Sequence, residues 1–209
     1  MEAKLELRTR QVGPWAVNAY GLICPASGES VLIDPGADPG ALADMLADSK
    51  PIAIVITHTH FDHIGALDEL RERLRVPVMA HPVPRSAGAH VDIDRRLHHG
   101  DCIHVGSHNL KVYHTPGHTP DQICIAVEDD NHFIVGDTIF EGGPGKTWSP
   151  KDFQTTLKTL RNVVLAWPDE SRCHPGHGSS FRLGDIRADV QSFLDKNHGN
   201  FFGDATWKM

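Results

Sequence analysis

Three imidazoles and a carboxylate fall within six consecutive positions of Thr57-His58-Thr59-His60-Phe61-Asp62-His63, directly after the apolar run Ile52-Ala53-Ile54-Val55-Ile56. Such a run predicts a buried strand, and a strand that ends on His-x-His turns both imidazoles to one side of the chain. His58 and His60 can therefore converge on one ion. Asp62 stands where an N-cap belongs, ahead of Ile64, Leu67, Leu70 and Leu74 at helical spacing, and His63 opens that helix. A strand end giving one pair of ligands and a helix start giving another suits two neighbouring metal ions. The plain alternative is chance clustering on a solvated loop in a chain with 15 histidines, but matching partners recur downstream.

His118 lies in His114-Thr115-Pro116-Gly117-His118-Thr119-Pro120-Asp121, a tight loop between two strand-like stretches. Asp137 ends the strand-like His132-Phe133-Ile134-Val135 and precedes Thr138, so its carboxylate projects from a strand terminus and can bridge two ions. His177 occurs in Cys173-His174-Pro175-Gly176-His177-Gly178. Of the two histidines there, His177 is expected to ligate, because its flanking glycines permit a sharp bend, whereas His174 precedes a proline and is biased toward extended backbone. His58, His60, Asp62, His63, His118, Asp137 and His177 make seven candidate ligands without a cysteine. Nitrogen and oxygen donors of this kind suit zinc, with iron or manganese as alternatives.

At these motifs the chain resembles the metallo-β-lactamase-fold superfamily of hydrolases. Val31-Leu32-Ile33-Asp34-Pro35-Gly36, Thr57 to His63, Pro116-Gly117-His118-Thr119, Gly136-Asp137-Thr138 and Pro175-Gly176-His177-Gly178 stand in that family's order. The resemblance implies an α/β fold, a four-layered αββα sandwich. It places His58, His60 and His118 on a first metal and Asp62, His63 and His177 on a second, with Asp137 between them, and two zinc ions per chain. It gives Asp34 a supporting role, holding the ligand loop by hydrogen bonds. Read from the residues alone, Asp34 is as well explained as a turn residue in Asp-Pro-Gly.

The segments support such an architecture. Strands are predicted near residues 3–8, 17–24, 30–33, 52–56, 76–80, 101–105, 109–114, 122–128, 131–135 and 170–173, and helices over 41–47, 64–74, 150–165 and 186–196. Ser149 as N-cap, Pro150 at the first helical position and Asp152 mark a clear helix start. Residues 82–100 are expected to form a mobile loop containing the basic pair Arg95-Arg96. The aromatic terminal segment 197–207 is expected to be ordered, because Phe201, Phe202 and Trp207 would otherwise be an apolar liability. They would pack on the body of the chain or on a second copy in a homodimer.

A chain of 209 residues with 40% hydrophobic content can bury one sizeable core, so residues 1–209 are expected to form a single domain. A net charge of −7 without a basic run argues against a nucleic-acid partner. The N-terminus interleaves charge with apolar residues, and no stretch has membrane-spanning length, so a cytoplasmic protein with a small-molecule substrate and no membrane partner is expected. Cys24, Cys102, Cys124 and Cys173 lack CxxC spacing and read as reduced thiols.

The chemistry follows from two metals without a protein nucleophile. Water held between two ions is acidified from 15.7 toward about 7, so hydroxide attacks at neutral pH. Asp62 would orient it and Asp137 would hold the ions together; these two are the catalytic carboxylates. Ser149, Ser179 and Ser180 lack a dedicated histidine partner in the sequence and are not expected to be nucleophiles. Within the superfamily, the Asp62-His63 pair and Asp137 look most like glyoxalase II-type thioesterases (hydroxyacylglutathione hydrolases), which leaves lactam hydrolysis disfavoured. Lys146, in Gly142 to Trp148, either holds a substrate carboxylate as a point charge or is a solvated loop lysine. The resemblance admits two alternatives: a mononuclear iron persulfide (sulfur) dioxygenase using His58, His118 and Asp137, and a non-catalytic metal-binding interaction protein. The remaining histidines have surface or hydrogen-bonded packing as their default.

Overall fold

The computed structural model describes residues 3–82, 91–128 and 130–209. One six-stranded sheet runs β1 (Glu6–Val12), β2 (Val17–Ile23), β3 (Glu29–Ile33), β4 (Lys50–Val55), β5 (Val78–Ala80), β6 (Arg95–Arg96). A second has the order β14 (Phe181–Arg182), β13 (Arg172–Pro175), β10 (His132–Gly136), β9 (Ile123–Val127), β8 (His108–His114), β7 (Cys102–Val105). A small hairpin, β11 (Ile139–Phe140) with β12 (Gly143–Pro144), stands apart from both.

The period-2 alternation of the strands sorts apolar side chains into layers. Val31, Ile33, Ala53 and Val55 meet Ile123, Ile125, Val127 and Ile134 in a core between the two sheets. Their neighbours Leu32 and Ile54 point the other way and pack with Leu42 of α1 (Pro39–Met45) and Leu67 and Leu70 of α3 (Leu67–Leu74). On the second sheet, Cys124, Ala126, Phe133 and Val135 back onto Phe153, Leu157 and Leu160 of α4 (Pro150–Asn162) and Val190 and Phe193 of α5 (Leu183–Leu194). Helix, sheet, sheet, helix is the expected four-layered αββα sandwich. Each fully buried aliphatic side chain stabilises it by roughly 1.5–3 kcal/mol relative to exposure.

β3, β4 and β5 are mutually parallel, and so are β10 and β13, so the carboxyl ends of β3 and β4 on one sheet and of β10 and β13 on the other each form a rim. The rims are joined. Asn18 N–H donates to Gly176 O at 2.7 Å and Ile123 N–H to Thr57 O at 2.8 Å, while the Tyr20 hydroxyl donates to Pro175 O at 2.6 Å.

Several local expectations are corrected. The helix expected over 64–74 is two helices, α2 (Phe61–Ile64) and α3, broken at Gly65-Ala66. His60 is the N-cap of α2, so Asp62 is not a cap but a first-turn residue, and His63 lies inside the helix. β4 ends at Val55, so His58 and His60 sit on an irregular loop beyond the strand. Of the expected mobile loop at 82–100, residues 83–90, including His90, lie outside the described residues, and Arg95-Arg96 is not loop but strand, parallel to β5. The edge strand β14 and the β11–β12 hairpin were too short to register as alternation. Other expectations stand. Ser149 Oγ accepts from Asp152 N–H at 3.2 Å with Pro150 following, as the cap signature requires. The terminal segment packs on its own chain through two of its three large aromatic residues: Trp207 is buried, its indole donates to Glu141 O at 2.9 Å, and Phe201 packs against the α4–α5 core, whereas Phe202 stays 52% exposed, against expectation. All four cysteines are free thiols, with Cys173 buried in β13 as a small hydrophobe. No helix among the described residues is long and apolar enough to cross a membrane.

Candidate metal centre

Every candidate ligand comes from the joined rims, because a strand's carboxyl end delivers its next residues to the same edge as its parallel neighbour's. His58, His60, Asp62 and His63 follow β4, Asp137 follows β10, His177 follows β13 and His118 sits between β8 and β9. All seven are brought together. His60 Nδ1 lies 3.0 Å from His58 Nε2 and 2.9 Å from His118 Nε2, so three ring nitrogens face one point. Asp62, His63 and His177 form a second group, with His177 Nε2 3.3 Å from Asp62 Oδ2. Asp137 lies between them: its Oδ2 is 3.6 Å from both His118 Nε2 and His177 Nε2, and its Oδ1 is 3.6 Å from His63 Nε2.

The outer ring nitrogens are held. His63 Nδ1 is 2.9 Å from Asp34 Oδ2, His118 Nδ1 donates to Lys146 O at 2.8 Å and His177 Nδ1 to Trp15 O at 3.0 Å. Each contact turns the Nε2 inward, the orientation metal-binding histidines have. Asp34 does more: it accepts from Thr57 N–H at 2.7 Å and Thr57 Oγ1–H at 2.6 Å, pinning the start of the histidine loop. It does so from a left-handed backbone, φ 54°, which a non-glycine residue adopts at a cost the surrounding bonds must offset. Gly176 makes room for the centre, since a Cβ there would lie 2.2 Å from Asp137 Oδ1 and 2.5 Å from His63 Cε1.

The residues fit divalent metal. His63 Nε2 and Asp137 Oδ1 are buried polar atoms with no hydrogen-bond partner, and both point into the centre. Unpaired buried groups of this kind are costly unless something absent from the protein satisfies them. Charge separates the two groups. Burial and the neighbouring rings drive His58 well below the ordinary histidine range, and burial with His60 takes His118 to about 3, so both are neutral. Burial would also lower His63, but Asp34, Asp137 and Asp62 outweigh it and raise it to about 9. The hydrogen bond to Asp62 raises His177, and burial raises Asp137.

Lys146 is an exposed loop residue, its Nζ paired with Asp204 Oδ2 at 3.0 Å and 5.2 Å from the Trp148 ring centroid, while its carbonyl serves His118. One expectation needs revision. Ser180 does have a histidine partner, its Oγ lying 2.8 Å from His174 Nδ1. That histidine is a feeble base, because burial holds it at about 3 and its Nε2 is already 2.8 Å from His132 Nδ1. His174 therefore packs, as expected. Sequence reasoning missed Asp121, which takes both the N–H and the hydroxyl of Thr59 on Oδ2, at 3.1 and 2.7 Å, and so fixes the residue between His58 and His60. Its place three residues after His118 was the available signal.

Residues 12–177 match the metallo-beta-lactamase superfamily. The chain is 32% identical over 193 residues to the probable metallo-hydrolase YqgX of Bacillus subtilis (strain 168), covering 83% of this chain and 90% of that one. It is 35% identical over 174 residues to a hydroxyacylglutathione hydrolase of Rhodopseudomonas palustris (strain BisB5), covering 80% of this chain but 65% of the relative's length. Among solved structures, BLEG-1 B3 metallo-beta-lactamase superposes with a TM-score of 0.78 at 28% identity, over 91% of this chain and 100% of that one. ETHE1 from Myxococcus xanthus does so with 0.78 at 26%, over 92% and 86%. TTHA1623 in a di-iron-bound form gives 0.71 at 30%, over 86% and 96%.

Proposed function

The chain belongs to the metallo-beta-lactamase superfamily, and on that premise we propose that it hydrolyses thioesters or esters of small molecules with two metal ions, zinc in the first instance. His58, His60 and His118 would hold one ion and Asp62, His63 and His177 the other. When bound, such ions supply Lewis-acid polarisation and an activated water at neutral pH. The observation that carries the reading is Asp137, one carboxylate within 3.6 Å of an imidazole from each group. A single ion on His58, His118 and Asp137 would leave His60, Asp62, His63 and His177 without a ligand role.

The protein's own part is orientation and proton handling. Asp62 is half-buried, and although burial would raise it, His177 and His63 hold its carboxyl below the usual range, so it is ionised at neutral pH and able to orient an attacking water, take a proton from it and pass that proton to the leaving group. Asp34, Trp15 O and Lys146 O keep the rings from turning. Ser149 is committed to its helix cap and is no nucleophile. The free cysteines support a reducing, cytosolic setting.

The likeness to ETHE1 favours one second reading, a mononuclear iron persulfide dioxygenase. Metal analysis and reaction must be measured together. The expected result is close to two zinc-type ions per chain and thioester hydrolysis without persulfide-dependent oxygen uptake. One iron per chain with such uptake, and no hydrolysis of any thioester tried, would overturn the hydrolase reading.

A further inference from the structure

Trp15 is 56%, Phe61 61% and Trp148 59% exposed, and each neighbours a candidate ligand: Trp15 through its carbonyl on His177, Phe61 in the chain between His60 and Asp62, and Trp148 through its ring beside that of His60. Trp15 and Phe61 form an edge-to-face pair with ring centroids 4.7 Å apart. Beside them lies a recess of about 230 Å³, whose lining includes Val12, Pro14, Ala37 and Asp62. Asp62 belongs to the second ligand group and lines the recess, and Trp15 O holds His177, so the recess adjoins the second ligand group. Trp148 stands on the other side, 6.3 Å from His60 between ring centroids.

The recess is built and held. Trp15 sits in the turn between β1 and β2, closed by Ala16 N–H to Gly13 O at 3.2 Å and tied to the body by Gly13 N–H to Asp38 Oδ2 at 3.1 Å. At Gly36 a Cβ would lie 1.9 Å from Asp62 O and 3.4 Å from Val17 Cβ, so a glycine there lets the β1–β2 hairpin and the start of α2 close on each other. Its aromatic walls are therefore placed before any ligand arrives, which lowers the ordering cost of binding.

We infer that the Trp15–Phe61 recess is a specificity pocket for an uncharged apolar group of the substrate, of the size of a phenyl ring or a branched alkyl. An apolar cavity of about 150 Å³ accommodates benzene, so the volume suffices for one such group. The inference deepens the hydrolase reading and rests on it for the reaction, though the pocket itself is testable without turnover. It sets the expected substrate apart from a thioester recognised mainly through charged groups.

Two measurements separate the pocket from the reaction. In the first, the metal-loaded enzyme is given thioester pairs that differ by one group, phenylacetyl against acetyl on the acyl side and S-benzyl against S-ethyl on the thiol side. A preference of about tenfold or more for the aromatic member of at least one pair is expected, carried mainly by KM, and Trp15→Ala and Phe61→Ala should each collapse that ratio. In the second, ligand-observed fluorine NMR follows 4-fluorobenzyl alcohol, a neutral probe independent of metal loading; binding should weaken in both variants. Probe binding lost in the variants supports the pocket even if no thioester turns over, a result that would count against the hydrolase reading alone. Equal rates within both pairs, an unchanged ratio in the variants, or no probe binding overturns the pocket. So does a change of solution mass on Trp15→Ala, which would make the aromatic pair a contact between copies of the chain.

Discussion

The two ligand groups stand on the same pair of joined rims, yet the protein prepares them differently. Around His60 it sets imidazoles whose facing nitrogens are about 3 Å apart, kept in the neutral form by burial and by one another. Around His63 it sets carboxylates, which pull protons onto the histidines. The first group is ready for a cation as it stands. The second must release protons to accept one, so metal and pH are coupled there.

The severest way to break that contrast is to remove the residue common to both groups. Asp137→Ala should abolish thioester hydrolysis and lower metal content at both sites, by more than the roughly 10–100-fold that outer-shell changes cost. Metal analysis after dialysis, with rates, measures it; full occupancy at either site would mean that Asp137 does not join them.

Removing one group at a time sharpens the comparison. His177→Ala should cost one metal equivalent and leave the other, His58→Ala should cost the one that His177→Ala spares, and His174→Ala should cost neither. Loss of the second equivalent in His174→Ala with retention in His177→Ala would reverse the assignment.

Asp34 acts through His63 and Thr57, so a smaller effect is expected. Asp34→Asn should weaken the second equivalent by about 10–100-fold while the first changes little. Equal weakening of both would show that Asp34 supports the whole loop and not one group.

The smallest effect is a slope. His63, at about 9 before metal arrives, carries a proton at pH 7 that a metal must displace, so the affinity of the second group should rise at least about tenfold per pH unit up to about pH 9, and more steeply where His177, also raised, still holds its proton. His58 and His118, already neutral, have no proton to lose near neutrality, and the first group's affinity should be flat from pH 7 to 9. Chelator competition at several pH values reads both slopes, and identical slopes would erase the distinction between the groups.

Much of this was legible in the chain because it is carried by short-range pattern. Alternating Val31, Leu32 and Ile33 sorts side chains to opposite faces of a strand, and His58-x-His60-x-Asp62-His63 requires only local spacing to suggest ligands. The sequence implies one continuous helix after that motif because apolar periodicity passes through Gly65-Ala66 without interruption; the break coincides with the close approach of Gly36 to Asp62 and Gly65, 26 residues or more away in sequence. Asp121 on Thr59, Trp15 O on His177 and Lys146 O on His118 are likewise contacts between segments distant along the chain. Two of those three acceptors are backbone carbonyls, which every residue type possesses, so residue identity could not reveal them. The sequence by itself determined the candidate donor set and the layers, because side-chain chemistry and strand alternation are local properties. Only the tertiary structure decided which nitrogen each ring turns inward, which group holds protons and where Trp15 and Phe61 meet, because those depend on distances between segments that chain order does not encode.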